Sequence, residues 1–179
     1  FSTGGKQAIA KVSEPKEYYV FINLTNGQSK TLSENVKQVK WSKNENKIYY
    51  TYYDEENNSY QINISDPDTQ NWQNIVTLDN QNVDNIYISN NENYALVTTY
   101  TSQESQELIY KKYLLDINNK SLKELPNIED FSYALWSPDD KWIALIDYDG
   151  LLSIANGDFS KFQKTGKKVE NNNMAWNDT

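Results

Sequence analysis

The amino-acid sequence predicts an all-β protein made of tandem four-stranded sheets, and three observations lead to this prediction. Aromatic residues make up 13% of the chain, including fourteen Tyr, and aromatic and β-branched residues favour strands. One segment pattern, a large apolar residue followed by a polar turn and an alternating strand, occurs four times. Its spacing is close to the period of about 40–45 residues that is typical of propeller blades. We therefore expect a β-propeller of four-stranded antiparallel blades.

The repeats are defined by their large apolar anchor residues. These anchors are Phe1, Trp41, Ile88 and Trp136, and a fifth copy begins at Trp176. The intervals between successive anchors are 40, 47, 48 and 40 residues, enough for four short strands with their turns. The predicted blades are residues 1–35, 36–82, 83–130 and 131–172, and residues 173–179 supply the first strand of a further or closing blade.

Each predicted blade contains the same four elements in order. A short first strand leads into the anchor: Val36–Trp41, Val83–Ile88, Phe131–Trp136 and Asn173–Trp176. In the second blade, the second strand is Lys47–Tyr53 and the third is Ser59–Ile64. Asp66, Pro67 and Asp68 then form a turn before the fourth strand, Asn74–Leu78, because these residue types suit turn geometry. No window has sustained helical periodicity.

The last full copy of the repeat resembles a known family. From Trp136 to Leu145 the chain reads Trp-Ser-Pro-Asp-Asp-Lys-Trp-Ile-Ala-Leu. This is similar to the repeat of TolB-like (WD-like) propellers, aromatic-Ser-Pro-Asp-Gly-Lys-x-Ile-Ala-Phe. The copy at Phe1 is looser, with Thr3 where Pro is expected, and the copies at Trp41 and Ile88 keep Ser but lack Pro. The resemblance implies relatives among periplasmic scaffold proteins and the non-catalytic propellers of prolyl oligopeptidase-type peptidases.

The composition excludes several classes of site. The chain has no Cys and no His, and all 17 of its basic residues are Lys. A zinc site of the usual kind and a Ser-His-Asp or Cys-His pair are therefore excluded within this chain. The net charge of -8 disfavours nucleic acid and anionic lipid as partners. No apolar run approaches the length of a membrane-spanning helix. We therefore expect no enzyme, no cofactor and no membrane insertion.

One face of the predicted propeller is acidic. The hairpins between second and third strands and the connections between blades share this face. Its acidic residues are Glu14, Glu17, Glu34, Asp54, Glu55, Glu56, Asp79, Asp84, Glu104, Glu107, Glu129, Asp130, Asp147, Asp149 and Glu170. Its expected lysines are Lys16, Lys37, Lys167 and Lys168. Such a face favours a basic partner or divalent cations by focusing the field. The alternative is a solvated surface that keeps the protein soluble.

The candidates for partner binding are the acidic residues of the exposed hairpins and connections. They are Asp54, Glu55, Glu56, Asp84, Glu129, Asp130, Asp147 and Asp149. Asp147 and Asp149 are also metal candidates, although a calcium loop needs a Glu at its twelfth position, where this chain has Asp158. A hairpin turn is the alternative for that segment. Trp72 is a candidate sugar platform, and the alternative is packing in the core.

These observations predict a function without identifying a ligand. We expect a non-enzymatic scaffold that binds a protein through its acidic face, in the periplasm, on the cell surface or secreted. The alternatives are the accessory propeller of a larger prolyl oligopeptidase-like hydrolase and a calcium- or carbohydrate-binding module. The chain opens on Phe1 rather than Met, so we expect a processed or cropped product. Four repeats fit a closed ring or a sector of a larger propeller, and an open sector is expected to self-associate.

Overall fold

The computed structural model describes residues 1–2, 4–102, 107–169 and 174–176. Within these residues the chain forms fifteen β-strands. They are β1 (Gln7–Val12), β2 (Tyr18–Asn23), β3 (Ser29–Thr31), β4 (Val36–Trp41), β5 (Ile48–Asp54), β6 (Ser59–Ser65), β7 (Gln73–Asp79), β8 (Asn82–Ile88), β9 (Tyr94–Ser102), β10 (Leu108–Asp116), β11 (Ser121–Glu124), β12 (Tyr133–Trp136), β13 (Trp142–Ile146), β14 (Leu151–Asn156) and β15 (Phe162–Lys168). None of the described residues belongs to a helix that is long and apolar enough to cross a membrane.

The strands form four sheets in which each strand pairs with its neighbour in sequence. The sheets are β1–β3, β4–β7, β8–β11 and β12–β15, so three have four strands and the first has three. Pairings such as β5 with β6 and β9 with β10 are antiparallel. This order confirms the predicted repeat of second, third and fourth strands in each blade. No bounds were predicted for β15, the fourth strand of the last blade, and β12 begins at Tyr133 rather than at Phe131.

The predicted strand Asn173–Trp176 is not found in its described part. Met174, Ala175 and Trp176 belong to no strand, and Asn173 lies outside the described residues, as do the Asn177 and Asp178 of the fifth copy. The indole nitrogen of Trp176 donates a hydrogen bond to the carbonyl of Leu135 over 3.2 Å, as that of Trp136 does to Tyr87. This bond places the side chain of Trp176 against β12 of the last sheet.

The chain divides into two compact units, residues 1–83 and 84–179, and each has a hydrophobic core between its two sheets. In the first unit, Tyr19 and Leu32 pack with Ile48 and Tyr50. In the second unit, the core is centred on residues from β9, β12 and β13. These include Leu96, Trp136, Ile143 and Leu145, and Phe131 from the segment before β12 packs with them. Half-buried residues alternate with buried ones along β12, as follows from the period of two in a pleated sheet.

The last full copy of the repeat has a buried anchor and a hydrogen-bonded turn, whereas the first anchor, Phe1, is 81% exposed. Trp136 is 5% exposed, and its indole nitrogen donates to the Tyr87 carbonyl over 2.9 Å, which links two neighbouring sheets. Ser137 is buried; its hydroxyl accepts the backbone N–H of Trp142 and donates to the carboxylate of Asp139. Buried polar groups need such partners, so the Trp-Ser pair of the repeat stabilises the turn and the packing between sheets.

Candidate functional site

The acidic candidates of the first unit lie on the hairpin between β5 and β6, which we call the acidic hairpin (residues 54–58). Asp54 ends β5, and its Oδ1 accepts the backbone N–H of Glu56 at 3.1 Å and of Asn57 at 3.2 Å. The side chain of Asn57 donates to Oδ2 at 2.9 Å. These hydrogen bonds, with the Asn57 side chain contributing most, lower the pKa of Asp54 below its ordinary value of 3.8. Asp54 therefore acts mainly as the cap of its own turn.

The other two carboxylates of the acidic hairpin are available to solvent. Glu55 and Glu56 are exposed, and neither forms an ion pair within the described part of the chain. Asn58 closes the turn with a φ of 47°, a left-handed conformation that Asn tolerates better than most residues. The hairpin thus presents two free negative charges on a well-defined turn.

The acidic candidates of the second unit surround a tyrosine, and we call this group the tyrosine patch. It comprises Asp84, Glu129, Asp130, Asp147, Tyr148 and Asp149. Tyr148 lies at the tip of the hairpin between β13 and β14 and is 74% exposed. Desolvation raises its pKa, and the negative charges of Asp84 and Asp130 act in the same direction. The charges of these two carboxylates, from β8 and from the connection after β11, therefore act on the Tyr148 hydroxyl.

Two carboxylates of the patch are paired with lysines that the sequence analysis did not place on this face. Lys112 in β10 forms an ion pair with Asp130; its side chain is 10% exposed and that of Asp130 is 53% exposed. Lys164 in β15 pairs with Glu129 at 2.5 Å, and both side chains are more than half exposed. The sequence did not show that these two strand lysines reach the carboxylates of the connection between β11 and β12.

The carboxylate of Asp147 stabilises the hairpin turn of the patch. Its Oδ1 accepts the backbone N–H groups of Asp149 at 2.9 Å and Leu151 at 2.8 Å. Gly150 adopts a φ of 83°, which favours glycine. The turn interpretation of this segment is therefore confirmed. Within the described residues, no group of three or more His, Cys, Asp or Glu is arranged to hold a metal ion.

The remaining acidic candidates form no common site. At the end of the first sheet, Glu17 pairs with Lys11 at 2.8 Å and Glu34 with Lys16 at 3.6 Å. Glu104 and Glu170 lie outside the described residues. The structure therefore leaves two distinct acidic regions, the acidic hairpin in the first unit and the tyrosine patch in the second.

Trp72 lies in the loop between β6 and β7 and is 57% exposed. Packing in the core, which the sequence analysis gave as the alternative, is therefore wrong for this residue. The side chain borders a cavity of about 310 Å³ in the first unit.

Comparison with known proteins shows the fold but no family. No family model and no curated protein sequence matches the chain. Among solved structures, oligogalacturonate lyase from Vibrio parahaemolyticus is similar with a TM-score of 0.69 and 16% identity over 92% of this chain and 50% of that one. The propeller domain of the Trilobed protease from Pyrococcus furiosus has a TM-score of 0.60 and 17% identity, over 94% of this chain and 56% of that one. TolB from Acinetobacter baumannii has a TM-score of 0.61 and 17% identity, over 89% of this chain and 41% of that one.

The fold is a β-propeller. TolB is among its structural neighbours, so the TolB-like fold is supported, whereas membership of the TolB-like repeat family stays a prediction. The chain spans about half the length of the lyase and of the Trilobed protease propeller. Whether its blades close a ring or belong to a larger propeller also stays a prediction.

The expectation that the chain is not an enzyme has to be corrected. Oligogalacturonate lyase is an enzyme and has the highest TM-score of the three neighbours, so lack of catalysis does not follow from this fold. Sequence identities of 16–17% show the fold alone and assign no reaction to this chain.

Proposed function

We propose that this β-propeller chain binds a basic protein segment, and that the tyrosine patch is the contact surface. The observation that carries the proposal is the exposure of Tyr148, which is 74%, on a hairpin whose turn also carries Asp147 and Asp149; the charges of Asp84 and Asp130 raise the pKa of Tyr148 in addition to desolvation. Single exposed aromatic residues are common on protein surfaces, so it is the combination of the ring with acidic charge that supports binding. Tyr is also enriched at protein interfaces.

The chemistry of the patch fits a lysine or arginine side chain. A cation over the face of a tyrosine ring is attracted by the ring quadrupole, with a contribution of about 0.5–2 kcal/mol. The carboxylates beside Tyr148 add charge attraction, and the Asp149 carboxylate has no ion-pair partner among the described residues. The Asp147 turn holds the ring at the hairpin tip, so part of the ordering cost of binding is met before the partner arrives.

The proposal is tested with an oligolysine peptide titrated into the full chain by calorimetry. We expect Tyr148→Ala to weaken binding about tenfold, which corresponds to about 1.4 kcal/mol. Tyr148→Phe keeps the ring and should bind nearly as well as the parent chain. The matched control is Trp142→Ala, because Trp142 is 44% exposed and lies at the opposite end of β13 from the patch.

Two results would contradict the proposal. One is an unchanged affinity in Tyr148→Ala, and the other is an equal loss in Trp142→Ala. An oligoglutamate peptide of the same length should not bind, because both the peptide and the acidic face are negatively charged.

A second candidate function is supported by the likeness to the propeller domain of the Trilobed protease. In that case the chain is the accessory propeller of a larger hydrolase, and the patch binds basic segments of its substrates. The full open reading frame distinguishes the two, since the second candidate requires a catalytic domain in the same chain. Both proposals place the protein outside the cytoplasm, and the likeness to TolB supports this location.

A further inference from the structure

We infer that the cavity beside Trp72 in the first unit binds a neutral saccharide, with Trp72 as the platform for a sugar ring. The cavity is about 310 Å³, which is within the range of small-molecule sites and large enough for one or two sugar rings. Trp72 is 57% exposed at its mouth, and Tyr52 lies on its wall. This site is separate in sequence and chemistry from the tyrosine patch.

The loop that carries Trp72 is held in one conformation by its own hydrogen bonds. The carboxylate of Asp66 accepts the side-chain amide of Asn71 at 2.7 Å, and the Asp66 carbonyl accepts the backbone N–H of Thr69 at 2.9 Å. Lys30, from β3, donates to the carbonyl of Asp68 at 2.7 Å and so ties the loop to the first sheet. Trp72 therefore remains exposed on an ordered loop.

The backbone of this loop includes an uncommon conformation next to the cavity. Thr69 has a φ of 65°, and a β-branched residue in the left-handed region is a genuine outlier. Such residues cost of order 1–3 kcal/mol and persist where the surrounding structure fixes them, which is frequently at ligand sites. Thr69 lines the cavity together with Trp72, so the strained segment and the exposed ring border the same space.

The polar groups of the cavity match the hydroxyl groups of a sugar. Gln61 and Asn63 line the wall with Tyr50 and Thr69, and carboxamides and hydroxyls both donate and accept hydrogen bonds. Asn63 is 2% exposed, and its carbonyl oxygen accepts the side-chain amide of Asn74 at 3.1 Å. Its orientation is therefore fixed before a ligand arrives, which reduces the ordering cost of binding.

The absence of charge in the lining selects a neutral ligand. Within the described residues, every side chain that lines the cavity is uncharged. A carboxylate or an amine buried there would lose its hydration without gaining a counter-ion, which costs several kcal/mol. An acidic sugar such as a uronate should therefore bind less well than a neutral one.

The test is calorimetric titration of the full chain with four oligosaccharides. Three are neutral (cellotetraose, mannotetraose and tetra-N-acetylchitotetraose) and one is acidic (tetragalacturonate). We expect at least one neutral ligand to bind at millimolar concentration or below, and tetragalacturonate to bind more weakly. Trp72→Ala should weaken that binding about tenfold or more, because the aromatic platform is lost. Trp142→Ala removes another exposed tryptophan, which is 44% exposed and lies in the second unit, and should change nothing.

A second variant covers the case in which Trp72→Ala fails to fold. Gln61→Leu keeps the volume and removes the polar group, so it should also reduce neutral-sugar binding while circular dichroism remains that of the parent chain. The inference is overturned if no neutral sugar binds, if tetragalacturonate binds more tightly, or if both variants bind as the parent does. None of these results bears on the Tyr148→Ala experiment, which tests a residue of the second unit.

Discussion

The acidic hairpin and the tyrosine patch carry similar sequence signals but differ in how their charges are used. In the hairpin, Asp54 is bound by its own turn, whereas Glu55 and Glu56 are exposed and without a cation partner in the described residues. In the patch, Asp130 and Glu129 are paired with lysines. The hairpin therefore offers free charge without an aromatic ring at its tip, and the patch offers a ring among partly neutralised carboxylates.

This difference shows that a count of carboxylates does not measure available negative charge. A carboxylate that caps a turn or pairs with a strand lysine stabilises the fold and attracts a partner less strongly. The free carboxylates instead act at long range, where salt screens them. The two regions should consequently respond in different ways when single charges are removed.

The largest effect is expected from Asp130→Ala. This substitution removes the partner of Lys112, whose side chain is only 10% exposed, and a nearly buried ammonium left unpaired destabilises the folded state. We expect a loss of about 1–3 kcal/mol in the free energy of unfolding, reduced from the fully buried case because Asp130 is half exposed. Urea unfolding followed by circular dichroism measures the change.

The neighbouring carboxylate provides the matched control. Glu129→Ala removes an ion pair in which both side chains are more than half exposed, and such surface pairs contribute about 0–1 kcal/mol. Equal destabilisation by the two substitutions would mean that the burial of Lys112 is not the source of the difference. The double variant Lys112→Met with Asp130→Ala should recover most of the stability, because no unpaired charge remains.

The next effect concerns the pH dependence of the acidic hairpin. The pKa of Asp54 lies below 3.8 in the folded chain because Asn57 and Glu56 donate hydrogen bonds to the carboxylate. Its contribution to stability is therefore fully present above pH 3.8 and is lost as the pH falls through the folded pKa. Asp54→Asn keeps an oxygen that accepts these bonds and should flatten this part of the acid-unfolding curve.

A direct measurement is the NMR titration of the Asp54 carboxyl carbon. We expect a midpoint below 3.8 in the parent chain, moving up towards that value in Asn57→Ala, which removes the largest contribution. A midpoint at or above 3.8 in the parent chain would mean that the turn does not hold the carboxylate as described.

The fold could be predicted from local signals, because each blade repeats them. Strands such as β4, predicted at Val36–Trp41 and found there, follow from the period of two and from the turn residues that bound them. The predicted strand Asn173–Trp176 is not found in its described residues, 174–176, although Trp176 keeps an anchor contact, the indole hydrogen bond to the Leu135 carbonyl. The local pattern therefore does not determine whether the backbone of such a repeat copy pairs with a sheet.

The candidate sites were less predictable, because they depend on contacts between distant segments. The pair Lys111-Lys112 in one strand signals that one of the two lysines faces inward, but not that it meets Asp130. The position of Tyr148 between two aspartates in a turn could have indicated an exposed binding residue, since turns seldom carry large rings. The cavity beside Trp72 combines residues from β5, β6 and a loop, and only the folded sheet shows that they line one space.

The smallest expected effect is on the affinity of the acidic hairpin for a basic partner. The double variant Glu55→Gln and Glu56→Gln removes the two free carboxylates without touching the Asp54 turn. We expect oligolysine affinity to fall about two- to threefold at low ionic strength, and the difference to vanish at about 0.5 M salt, where the Debye length is only a few ångströms. The control is Glu17→Gln with Glu34→Gln, which changes the net charge of the same unit equally but removes carboxylates already paired with Lys11 and Lys16. If both double variants lower affinity by the same factor, net charge alone matters, and the distinction between free and paired carboxylates has no functional consequence.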